Sequence, residues 1–448
     1  MSKPSLSSHN RLVLRPVESK TGRLWIGLMA DFLSLDDVDL EGRTVLVRVD
    51  INSPLEPTAK LFLDDTRIRR IIPTLNKLRK SKVVILAHQS RPGKYDFTST
   101  LGHSRELGRL LGRNVKWVED IHGKKALAAI EQLKDGEILM LNNVRMDEDE
   151  VKLKGDFERF SQTLMVQNLS MAADAFVNDA FACAHRNSPS IVGFTNTLPC
   201  IAGELMNHEL KKLGQALDNP KRPCIAVLGG IKVDDSVVVT ENMLKGDICD
   251  HVWVTGGVAN LFLYLSGIDL GEGNIQFLKN ELKDSWDSTV EKASNLLKNY
   301  PERIIMPSDV AVNVEGNRVD MPLSNLPIDA PIFDLGITSI RALSKGIKSA
   351  GTIILNGPAG VFENPDFAFG TIEMLNACAE SEGYAVMGGG HTATLVSTHN
   401  LTSKMGHVST GGGACLELLA GRKLPGIASL KESAKQFKFS ISKPIDHQ

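Results

Sequence analysis

The feature that most constrains the fold is a unit that recurs along the chain: a short apolar run, a break, and then a helical pattern. The apolar runs are rich in Val, Ile and Leu and lack polar alternation, which is typical of parallel strands buried on both faces. Because strands and helices alternate, the sequence predicts an α/β fold with right-handed crossovers. The predicted strands are 45–49, 83–87, 138–141, 172–177, 225–228, 252–255, 304–306, 352–355 and 384–387. Helices are predicted at 66–78, 101–111, 203–217 and 284–299.

The residues that follow the predicted strands differ between the two halves of the chain, and ligands of doubly wound sheets bind at these strand ends. In the first half the strand ends carry charged and polar residues, within 48–52, 88–92, 142–145 and 178–186. In the second half they carry glycine, within 229–232, 256–257, 356–358 and 388–392. The first half therefore offers guanidinium groups to an anion. The second half offers backbone N–H groups and helix N-termini, which suit the phosphates of a nucleotide.

Length and charge limit the classes of function. A chain of 448 residues is long enough for two or three domains. Its 51 Lys and Arg residues nearly balance 53 Asp and Glu, and the net charge of −2 argues against nucleic acid or an anionic membrane as the main partner. No run approaches 18 apolar residues, so no membrane-spanning helix is predicted. The six cysteines show neither C-x-x-C pairs nor zinc-site spacing, which indicates reduced thiols in a cytoplasmic protein.

The first 28 residues form an extension of different composition, rich in serine and basic residues. This extension lacks the long apolar segment of a secretory signal. A transit peptide, a disordered tail and a mis-assigned start codon all fit it. We favour a start near Met29, where a more regular sequence begins, and expect residues 1–28 to be dispensable.

General nucleotide-binding motifs are absent or incomplete in the sequence. The chain has neither a P-loop nor the motif set of a protein kinase. Residues 388–393 fit G-x-G-x-x-[GA] after a predicted strand, yet no carboxylate ends a strand about 20 residues later, as dinucleotide binding requires. An oxidoreductase that binds a nicotinamide cofactor is therefore a disfavoured rival.

Four arginines are candidates for one anion site, because the planar fork of arginine binds phosphate or carboxylate and stays charged. They are Arg67, Arg91, Arg145 and Arg186. Each of them could equally be a solvated surface residue. His88 could be a packed histidine, and Asp50 and Asn52 could cap a turn or bind substrate hydroxyls.

Candidates in the second half also have two explanations each. Lys232 could be a surface lysine, or it could neutralise a phosphoryl group during transfer. Glu363 could be an acidic residue at a helix N-terminus or could accept a hydrogen bond from a ribose hydroxyl. The run 409–414 could be a flexible hinge, or its N–H groups could stabilise the transferring group.

Eight motifs, taken together and in this order, resemble those of the phosphoglycerate kinase family. The resemblance extends from about residue 45 to residue 426, and the combination is far more specific than any single motif. The motifs are Arg48-Val-Asp-Ile-Asn-Ser-Pro-Leu, Asp64-Asp-Thr-Arg-Ile-Arg, His88-Gln-Ser-Arg-Pro, Asn143-Val-Arg, Asn178-Asp-Ala-Phe-Ala-Cys-Ala-His-Arg, Leu228-Gly-Gly-Ile-Lys-Val, Asn356-Gly-Pro-Ala-Gly-Val-Phe-Glu and His407-Val-Ser-Thr-Gly-Gly-Gly-Ala.

The resemblance implies two Rossmann-like, doubly wound parallel-sheet domains that face each other across a hinged cleft. The N-terminal domain would hold 3-phosphoglycerate or 1,3-bisphosphoglycerate, and the C-terminal domain would hold ATP or ADP with Mg²⁺. A cytoplasmic monomer is the family expectation. The expected divisions are an extension at 1–28, the N-terminal domain at 29–202, a connecting helix and linker at 203–221, the C-terminal domain at 222–408, a segment returning to the N-terminal domain at 409–430 and a tail at 431–448.

The resemblance also assigns roles residue by residue. Binding of the acid substrate would fall to Asp50, Asn52, Arg67, His88, Gln89, Ser90, Arg91, Arg145 and Arg186. Binding of the nucleotide would fall to Gly229, Gly230, Lys232, Gly256, Gly257, Asn356, Pro358, Glu363, Gly389, Gly390, His391 and Thr392. The residues implied in catalysis are Arg67, Lys232, Gly390 and Gly412.

Four positions depart from the bacterial and eukaryotic pattern of the family. Asn142, Ser188, Ser236 and His391 stand where that pattern has Glu, His, Lys and Asp. Because His391 replaces the usual magnesium-binding aspartate, we expect Asp235 to supply a carboxylate toward Mg²⁺. The combination looks like the archaeal branch of the family, whose members are enzymes. A non-catalytic descendant that binds a nucleotide and a phosphoacid is the alternative.

The implied reaction is reversible phosphoryl transfer between 1,3-bisphosphoglycerate and ADP, giving 3-phosphoglycerate and ATP, a step of glycolysis and gluconeogenesis. The acceptor in the reverse direction is a carboxylate that is already ionised near neutral pH, so no general base is needed. Alignment and charge neutralisation are the main requirements. Because the two substrates belong to separate domains, we expect domain closure to bring them into line.

Overall fold

The structure is a computed structural model that describes residues 13–14 and 32–441, with the side chains of 13–14, 390–391 and 438–441 outside the description. The expected extension at 1–28 lies outside the described residues apart from the backbone of Val13–Leu14, and so does the end of the expected tail at 431–448. The chain divides into two compact units. The first comprises Met1–Leu210 with Lys423–Gln448, and the second comprises Lys211–Arg422.

The first unit is built on a seven-stranded parallel sheet in the order β2-β9-β8-β4-β5-β7-β6. The strands are β1 (Val13–Leu14), β2 (Leu33–Ser34), β3 (Val38–Asp39), β4 (Thr44–Arg48), β5 (Lys82–Leu86), β6 (Val115–Trp117), β7 (Ile138–Met140), β8 (Ala175–Asn178) and β9 (Cys200–Ala202). The helices are α1 (Thr66–Arg70), α2 (Ile72–Lys77), α3 (Leu101–Leu111), α4 (Lys124–Glu131), α5 (Glu148–Lys152), α6 (Phe157–Phe160), α7 (Leu164–Met171), α8 (Pro189–Val192) and α9 (Glu204–Leu217).

The second unit contains a six-stranded parallel sheet, in the order β12-β11-β10-β16-β17-β18, and a three-stranded antiparallel sheet, β14-β13-β15. The strands are β10 (Cys224–Leu228), β11 (His251–Val254), β12 (Ile304–Ile305), β13 (Asp309–Val314), β14 (Asn317–Pro322), β15 (Ile332–Leu335), β16 (Thr352–Asn356), β17 (Tyr384–Gly388) and β18 (His407–Val408). The helices are α10 (Val233–Lys245), α11 (Gly256–Leu265), α12 (Glu272–Leu282), α13 (Trp286–Asn299), α14 (Ile337–Ser349), α15 (Phe369–Glu380), α16 (Gly390–Thr398) and α17 (Gly413–Leu419). The last helix, α18 (Pro425–Ile441), belongs to the first unit.

Both parallel sheets are doubly wound, which confirms the predicted fold class. In the first unit the chain builds the sheet on one side of β4 through β5 to β7, and then continues on the other side with β8. In the second unit the same reversal occurs between β10 and β16. The central strands are buried along almost their whole length, which explains why they read as unbroken apolar runs. Ligand sites are expected beyond the carboxyl ends of strands at these reversals.

Two predicted elements differ from the structure at their edges. The predicted helix 66–78 is two short helices, α1 and α2, and Pro73 lies in the first turn of α2. Proline has no backbone N–H to continue the hydrogen bonds of α1, so it starts a new helix instead. The predicted strand 172–177 begins only at Ala175, because Ala172 still ends α7 with a hydrogen bond from its N–H to the Leu169 carbonyl.

The antiparallel sheet at 309–335 is absent from the sequence prediction. Strands are predicted from unbroken apolar runs, and β14 has none, because all six of its residues are exposed or half-buried. The side chains of β13 instead contribute Val310 and Val312 to a small separate core with Leu263 and Leu270 of the α11 region.

The described part of the C-terminal region is shared between the two units. Residues 409–422 stay with the second unit, where the Asn242 amide of α10 donates to the Leu419 carbonyl at 2.8 Å. From Lys423 onward the chain belongs to the first unit, and the Gly426 N–H donates to the Ala184 carbonyl at 2.8 Å. The division between the two compact units therefore falls between Arg422 and Lys423, within the segment 409–430 that is expected to return to the N-terminal domain. The preceding connection, α9, crosses the division between the units after Leu210.

A half-buried ion pair holds the start of the short helix α5. One carboxylate oxygen of Asp147 accepts the N–H groups of Asp149 (2.9 Å) and Glu150 (3.2 Å), and the other lies 2.7 Å from His122 Nε2. Both side chains are mostly buried, at 21% and 13% exposure. The hydrogen bond to Asp147 raises the pKa of His122 above its usual value, so folding favours the charged imidazolium.

We expect His122→Gln to make stability less dependent on pH. Because the pKa of His122 is raised in the folded state, its contribution is full below the unfolded value of about 6.5 and is lost as the pH rises through the folded value. The variant should lose about 1 kcal/mol of unfolding free energy at pH 5.5 and much less at pH 9, measured by urea unfolding. His399→Gln, at an exposed histidine, is the control. An equal loss at both pH values would contradict this account.

Candidate active site

The carboxyl end of β4 supplies a buried guanidinium group that sequence analysis did not single out. Arg48 is 1% exposed, and no carboxylate of the described residues forms an ion pair with it. Its Nε donates to Ser190 Oγ at 2.9 Å, its Nη1 donates to the Val49 carbonyl, and its Nη2 lies 3.3 Å from His88 Nδ1. An arginine at the end of an otherwise apolar, buried strand was the signal that could have identified it.

His88 follows β5 and is neutral in this environment. Arginine cannot accept a hydrogen bond, so Nδ1 of His88 accepts from Arg48 and the ring proton sits on Nε2. Burial, followed by the positive charges of Arg48 and its neighbours, holds the pKa of His88 well below its usual value. The imidazole is therefore able to donate one hydrogen bond through Nε2 without adding a further positive charge.

Three of the four predicted arginines lie in the same region. The positive charges of Arg145, Arg186 and Arg67 all contribute to the lowered pKa of His88. Arg67 pairs with the carboxylate of Asp50, which is itself buried. Burial and the adjacent Arg186 lower the pKa of Arg145 to about 10, which is the behaviour of a cation crowded by other cations. Such a cluster attracts an anion.

The loop after β5 is held by polar side chains that turn inward. Gln89 is fully buried, and its amide donates to the Ser53 carbonyl at 3.0 Å while accepting the Ser53 N–H at 3.1 Å. Asn52 accepts the Ser90 N–H at 2.7 Å, and Ser90 adopts a positive φ of 56°. Both polar atoms of the Gln89 amide thus bond to the Ser53 backbone, and its predicted contact with the substrate stays a prediction. Arg91, the fourth predicted arginine, is exposed in this loop.

The region also contains a set of groups that could be read as a metal site. One atom each of Asp50, His88 and Cys183 lie within 4.8 Å of one another. Burial raises the pKa of Cys183 to about 11, so its thiol stays protonated, and Arg67 already neutralises Asp50. The surrounding guanidinium groups would repel a cation. The chemistry of this region, with its guanidinium groups, fits a bound anion and not a metal ion.

In the second unit, three glycine-containing loops are joined by backbone hydrogen bonds at the sheet reversal. The Gly229 N–H donates to the Asn356 carbonyl (2.9 Å), the Gly230 N–H to the Pro358 carbonyl (2.8 Å) and the Gly257 N–H to the Gly230 carbonyl (3.1 Å). A Cβ on Gly229 would lie 2.3 Å from the Pro358 oxygen, so no side chain fits there. The loops predicted to bind the nucleotide after β10, β11 and β16 therefore form one surface.

The loop after β17 joins the same surface through the side chain of Asn356. A Cβ on Gly388 or Gly389 would lie 3.2 or 3.3 Å from Asn356 Oδ1, so the amide sits directly beside this loop. Gly256 and Gly389 have positive φ values of 54° and 90°, which glycine adopts without strain. The Thr392 hydroxyl is buried without a hydrogen-bond partner among the described residues, and it remains available to a ligand.

The charged candidates of the second unit lie at the start of α10 and in the loop after β16. Lys232 caps α10 and is exposed, and Asp234 and Asp235 occupy the first turn of this helix. Burial and the adjacent Asp234 raise the pKa of Asp235, while Arg422 and Lys232 act in the opposite direction. Glu363 is exposed.

The remaining predicted catalytic positions lie at two helix starts. The backbone of Gly390 and His391 begins α16, and their side chains lie outside the described part of the structure. Gly412 precedes α17 with a φ of 49°, and a Cβ there would meet nothing within 4 Å. The Ser409 N–H donates to the Met387 carbonyl at 2.9 Å, which anchors this loop beside β17.

The two units thus differ in the chemistry that they offer. The first presents several guanidinium groups and a neutral histidine, and the second presents interlocked glycine loops with a lysine and an acidic helix start. A doubly wound α/β chain with a guanidinium cluster in one unit and interlocked glycine loops in the other is typical of two-substrate phosphotransferases.

Comparisons with known proteins identify the family. The family model for Phosphoglycerate kinase matches residues 35–422. The phosphoglycerate kinase of Methanothermobacter thermautotrophicus is 47% identical over 404 residues, covering 90% of this chain and 97% of the relative, and that of Methanobacterium bryantii is 47% identical over 403 residues, covering 90% and 97%. The crystal structure of phosphoglycerate kinase from Pyrococcus horikoshii is 38% identical with a TM-score of 0.81, covering 90% of this chain and 100% of that structure.

The chain belongs to the phosphoglycerate kinase family. The resemblance predicted from the eight motifs is thereby confirmed, together with its archaeal character. Family membership also confirms that the chain is an enzyme, a phosphotransferase with a carboxyl group as acceptor. The alternative of a non-catalytic descendant finds no support.

We expect Gly229→Ala to damage the second unit, because the added Cβ would lie 2.2 Å from Thr255 Oγ1 and 2.3 Å from the Pro358 carbonyl oxygen. Moving either loop would lower the unfolding free energy by about 1–3 kcal/mol and weaken ADP binding. Gly273→Ala is the matched control, because nothing lies within 4 Å of its Cβ. Calorimetric titration with ADP and urea unfolding measure both effects. Unchanged ADP binding in Gly229→Ala would refute the interlocked-loop arrangement.

Proposed function

We propose that this chain transfers a phosphoryl group reversibly between 1,3-bisphosphoglycerate and ADP, giving 3-phosphoglycerate and ATP. Family membership supports the reaction. The observation that carries the assignment to particular residues is the pairing, in one chain, of a guanidinium cluster in the first unit with interlocked glycine loops in the second.

The acid substrate would bind to the cluster at the ends of β4 and β5. Arg67, Arg145 and Arg186 would pair with its phosphate and carboxylate oxygens, because guanidinium groups bind such groups in a fork. Asp50 would accept a substrate hydroxyl while it orients Arg67. His88 would donate through Nε2. Arg91, which is exposed, would complete the site from the loop after β5. Asn52, Gln89 and Ser90 would shape that loop.

The nucleotide would bind to the loop surface of the second unit. The N–H groups of Gly230 and Gly257 already donate to backbone carbonyls, so phosphate oxygens would bind at the N-terminus of α16, where the unpartnered Thr392 hydroxyl would donate to one of them. Asn356 and Glu363 would contact the nucleoside. No side chain could replace Gly229 without moving Pro358, so the loops after β10 and β16 stay in direct backbone contact.

Transfer itself needs little chemistry from the protein. The attacking carboxylate of 3-phosphoglycerate is already ionised, so the neutral His88 is not required as a base. Lys232 and Arg67 would neutralise the charge of the moving phosphoryl group, with the N–H groups of Gly390 and Gly412 assisting. In the forward direction the same groups stabilise the phosphoryl group as it leaves the acyl phosphate for ADP. Closure of the two domains over the substrates stays a prediction.

Asp235 fits the role of a magnesium ligand. Burial and the adjacent Asp234 raise its pKa, and no described residue forms a hydrogen bond or ion pair with its carboxylate. Mg²⁺ at nucleotide sites commonly uses one or two carboxylates together with phosphate oxygens. When bound there, the ion would neutralise phosphate charge. We assign Asp235 to hold it, directly or through water.

The wider setting follows the family expectation of a cytoplasmic, monomeric enzyme with ATP and ADP as nucleotide partners. No helix within the described residues is long and apolar enough to cross a membrane. Neither nucleic acid nor a membrane surface is proposed as a partner, since the near balance of 51 basic and 53 acidic residues gives no net attraction to either.

The experiment that decides the function is a coupled assay of ATP formation from 1,3-bisphosphoglycerate and ADP by the purified chain. Activity is expected, and its absence in folded protein would reject the proposal. A titration with NADH in the same preparation tests the oxidoreductase suggested by residues 388–393, for which no binding is expected.

We expect Lys232→Ala to lower kcat by about 100-fold, because one preorganised electrostatic donor to a developing charge commonly contributes that much. KM for 3-phosphoglycerate should change little, since its proposed site lies in the first unit. Lys245→Ala, on the same helix and in an exposed pair with Glu241, should behave like the unmodified chain. Full turnover in Lys232→Ala would reject its role.

We expect Asp235→Asn to raise the Mg²⁺ concentration needed for half-maximal activity by at least about tenfold, because it removes a charged oxygen ligand. Calorimetric titration of Mn²⁺ into the ADP complex gives a readout that does not depend on turnover. Asp287→Asn removes an exposed acid from the first turn of α13 and serves as the matched control. The same Mg²⁺ dependence in all three proteins would exclude Asp235 as a ligand.

A further inference from the structure

A carboxylate that belongs to none of the assigned roles lies next to the guanidinium cluster. Glu150, on α5, accepts three hydrogen bonds: from the Ser188 hydroxyl at 2.9 Å, the Ser190 N–H at 2.8 Å and the Ser190 hydroxyl at 2.7 Å. Ser188 is one of the four positions at which this chain departs from the bacterial and eukaryotic pattern. The departure therefore supplies one of the donors that fix this carboxylate.

The hydrogen bonds at Ser190 have a defined direction. Ser190 is fully buried, and its hydroxyl oxygen accepts from Arg48 Nε at 2.9 Å. The single hydroxyl proton is then donated to Glu150, which as a carboxylate can only accept. The chain of donors runs from Arg48 through Ser190 to Glu150, and it spans residues 142 positions apart in sequence.

The hydrogen bonds from Arg48 through Ser190 to Glu150 fix the orientation of the Arg48 guanidinium without neutralising its charge directly. The other two nitrogens of the guanidinium donate to the Val49 carbonyl and to His88 Nδ1. The contact with His88 in turn sets the tautomer that leaves Nε2–H available. Loss of the acceptor at Ser190 would free the Arg48 fork to rotate, and both the guanidinium and the imidazole would lose their alignment.

We propose that Glu150 is a positioning residue for the acid-substrate site, acting through Ser190 on Arg48 and His88. This inference rests on the proposed function, because it concerns the site assigned to 3-phosphoglycerate. Glu150 itself does not touch the substrate in this account. It holds the buried cation in the geometry that an incoming phosphate or carboxylate requires.

A simple charge effect would act in the opposite direction. Glu150 also stabilises the positive charge of Arg145, so its negative charge reaches the cluster. Removal of that charge would, by Coulomb attraction alone, strengthen the binding of an anion. The positioning role predicts weaker binding instead. The sign of the change therefore separates the two explanations.

The test compares Glu150→Gln with Glu148→Gln, which neutralises an exposed residue of the same helix. Glutamine has a single side-chain oxygen, and its NH2 group cannot accept a hydrogen bond, so the bond from either the Ser190 N–H or the Ser190 hydroxyl is lost. We expect KM for 3-phosphoglycerate, and its calorimetric Kd, to rise about tenfold in Glu150→Gln, with KM for ATP within twofold of the unmodified chain. Unchanged or tighter binding of 3-phosphoglycerate would overturn the proposal.

A second variant keeps the test independent of charge. Ser190→Ala removes the hydroxyl that links Arg48 to Glu150. This substitution should raise KM for 3-phosphoglycerate to a similar extent. Both substitutions interrupt the same series of hydrogen bonds. KM for 3-phosphoglycerate in the double variant should therefore be no higher than in the more affected single variant, whereas independent effects would multiply. If the effects of the two substitutions multiply, the proposal is overturned. It is also overturned if KM for 3-phosphoglycerate and KM for ATP both rise together with a loss of unfolding free energy.

Failure of this inference is distinguishable from failure of the proposed function. If the unmodified chain forms ATP from 1,3-bisphosphoglycerate and the Glu150 and Ser190 variants keep their KM values, only the positioning role is rejected. If the unmodified chain is inactive, the proposed function fails first. Direct titration with 3-phosphoglycerate would then still report whether Glu150 shapes an anion site.

Discussion

The first unit depends on the buried guanidinium of Arg48, a positive charge that is kept almost entirely from water. Moving an ion into a protein interior carries a large desolvation penalty, so the guanidinium must be fully hydrogen-bonded to persist there. Its partners are a serine hydroxyl, a backbone carbonyl and an imidazole, all without charge. His88 must therefore remain neutral, and the positive charges around it remain available to a ligand.

The second unit, to which our proposal assigns the nucleotide phosphates, relies on backbone groups instead of charged side chains. Its loops bring backbone to backbone, with glycine wherever a Cβ would collide, as at Gly229 and Gly357. Hydrogen bonds between their backbones then fix the positions of these loops at the sheet reversal between β10 and β16. The first unit uses charged side chains that hydrogen bonds from neighbouring residues hold in place, and the second uses close backbone contacts that leave no room for side chains.

Much of the fold could be predicted from the sequence, because the central strands and the polar residues at their ends are local sequence patterns. The apolar runs located β4, β5, β10 and β16. The arginines and glycines that follow them are the residues on which the two proposed sites rest. Contacts between residues distant in the chain could not be predicted. The inward turn of Gln89 toward Ser53, and the hydrogen bonds from Ser190 to Glu150, depend on how loops meet in space. The exposed strand β14 escaped notice because it has no apolar run.

The division of the chain has a consequence for biosynthesis. The second unit is a continuous stretch, Lys211–Arg422, and all of it is made before the last part of the first unit. The first unit needs residues beyond Arg422, since the Ser433 hydroxyl accepts the Cys200 N–H beside strand β8 at 2.9 Å. On the ribosome, the domain that is synthesised first must wait for the C-terminus to emerge before its packing is complete. The domain synthesised second is the one that can finish folding first.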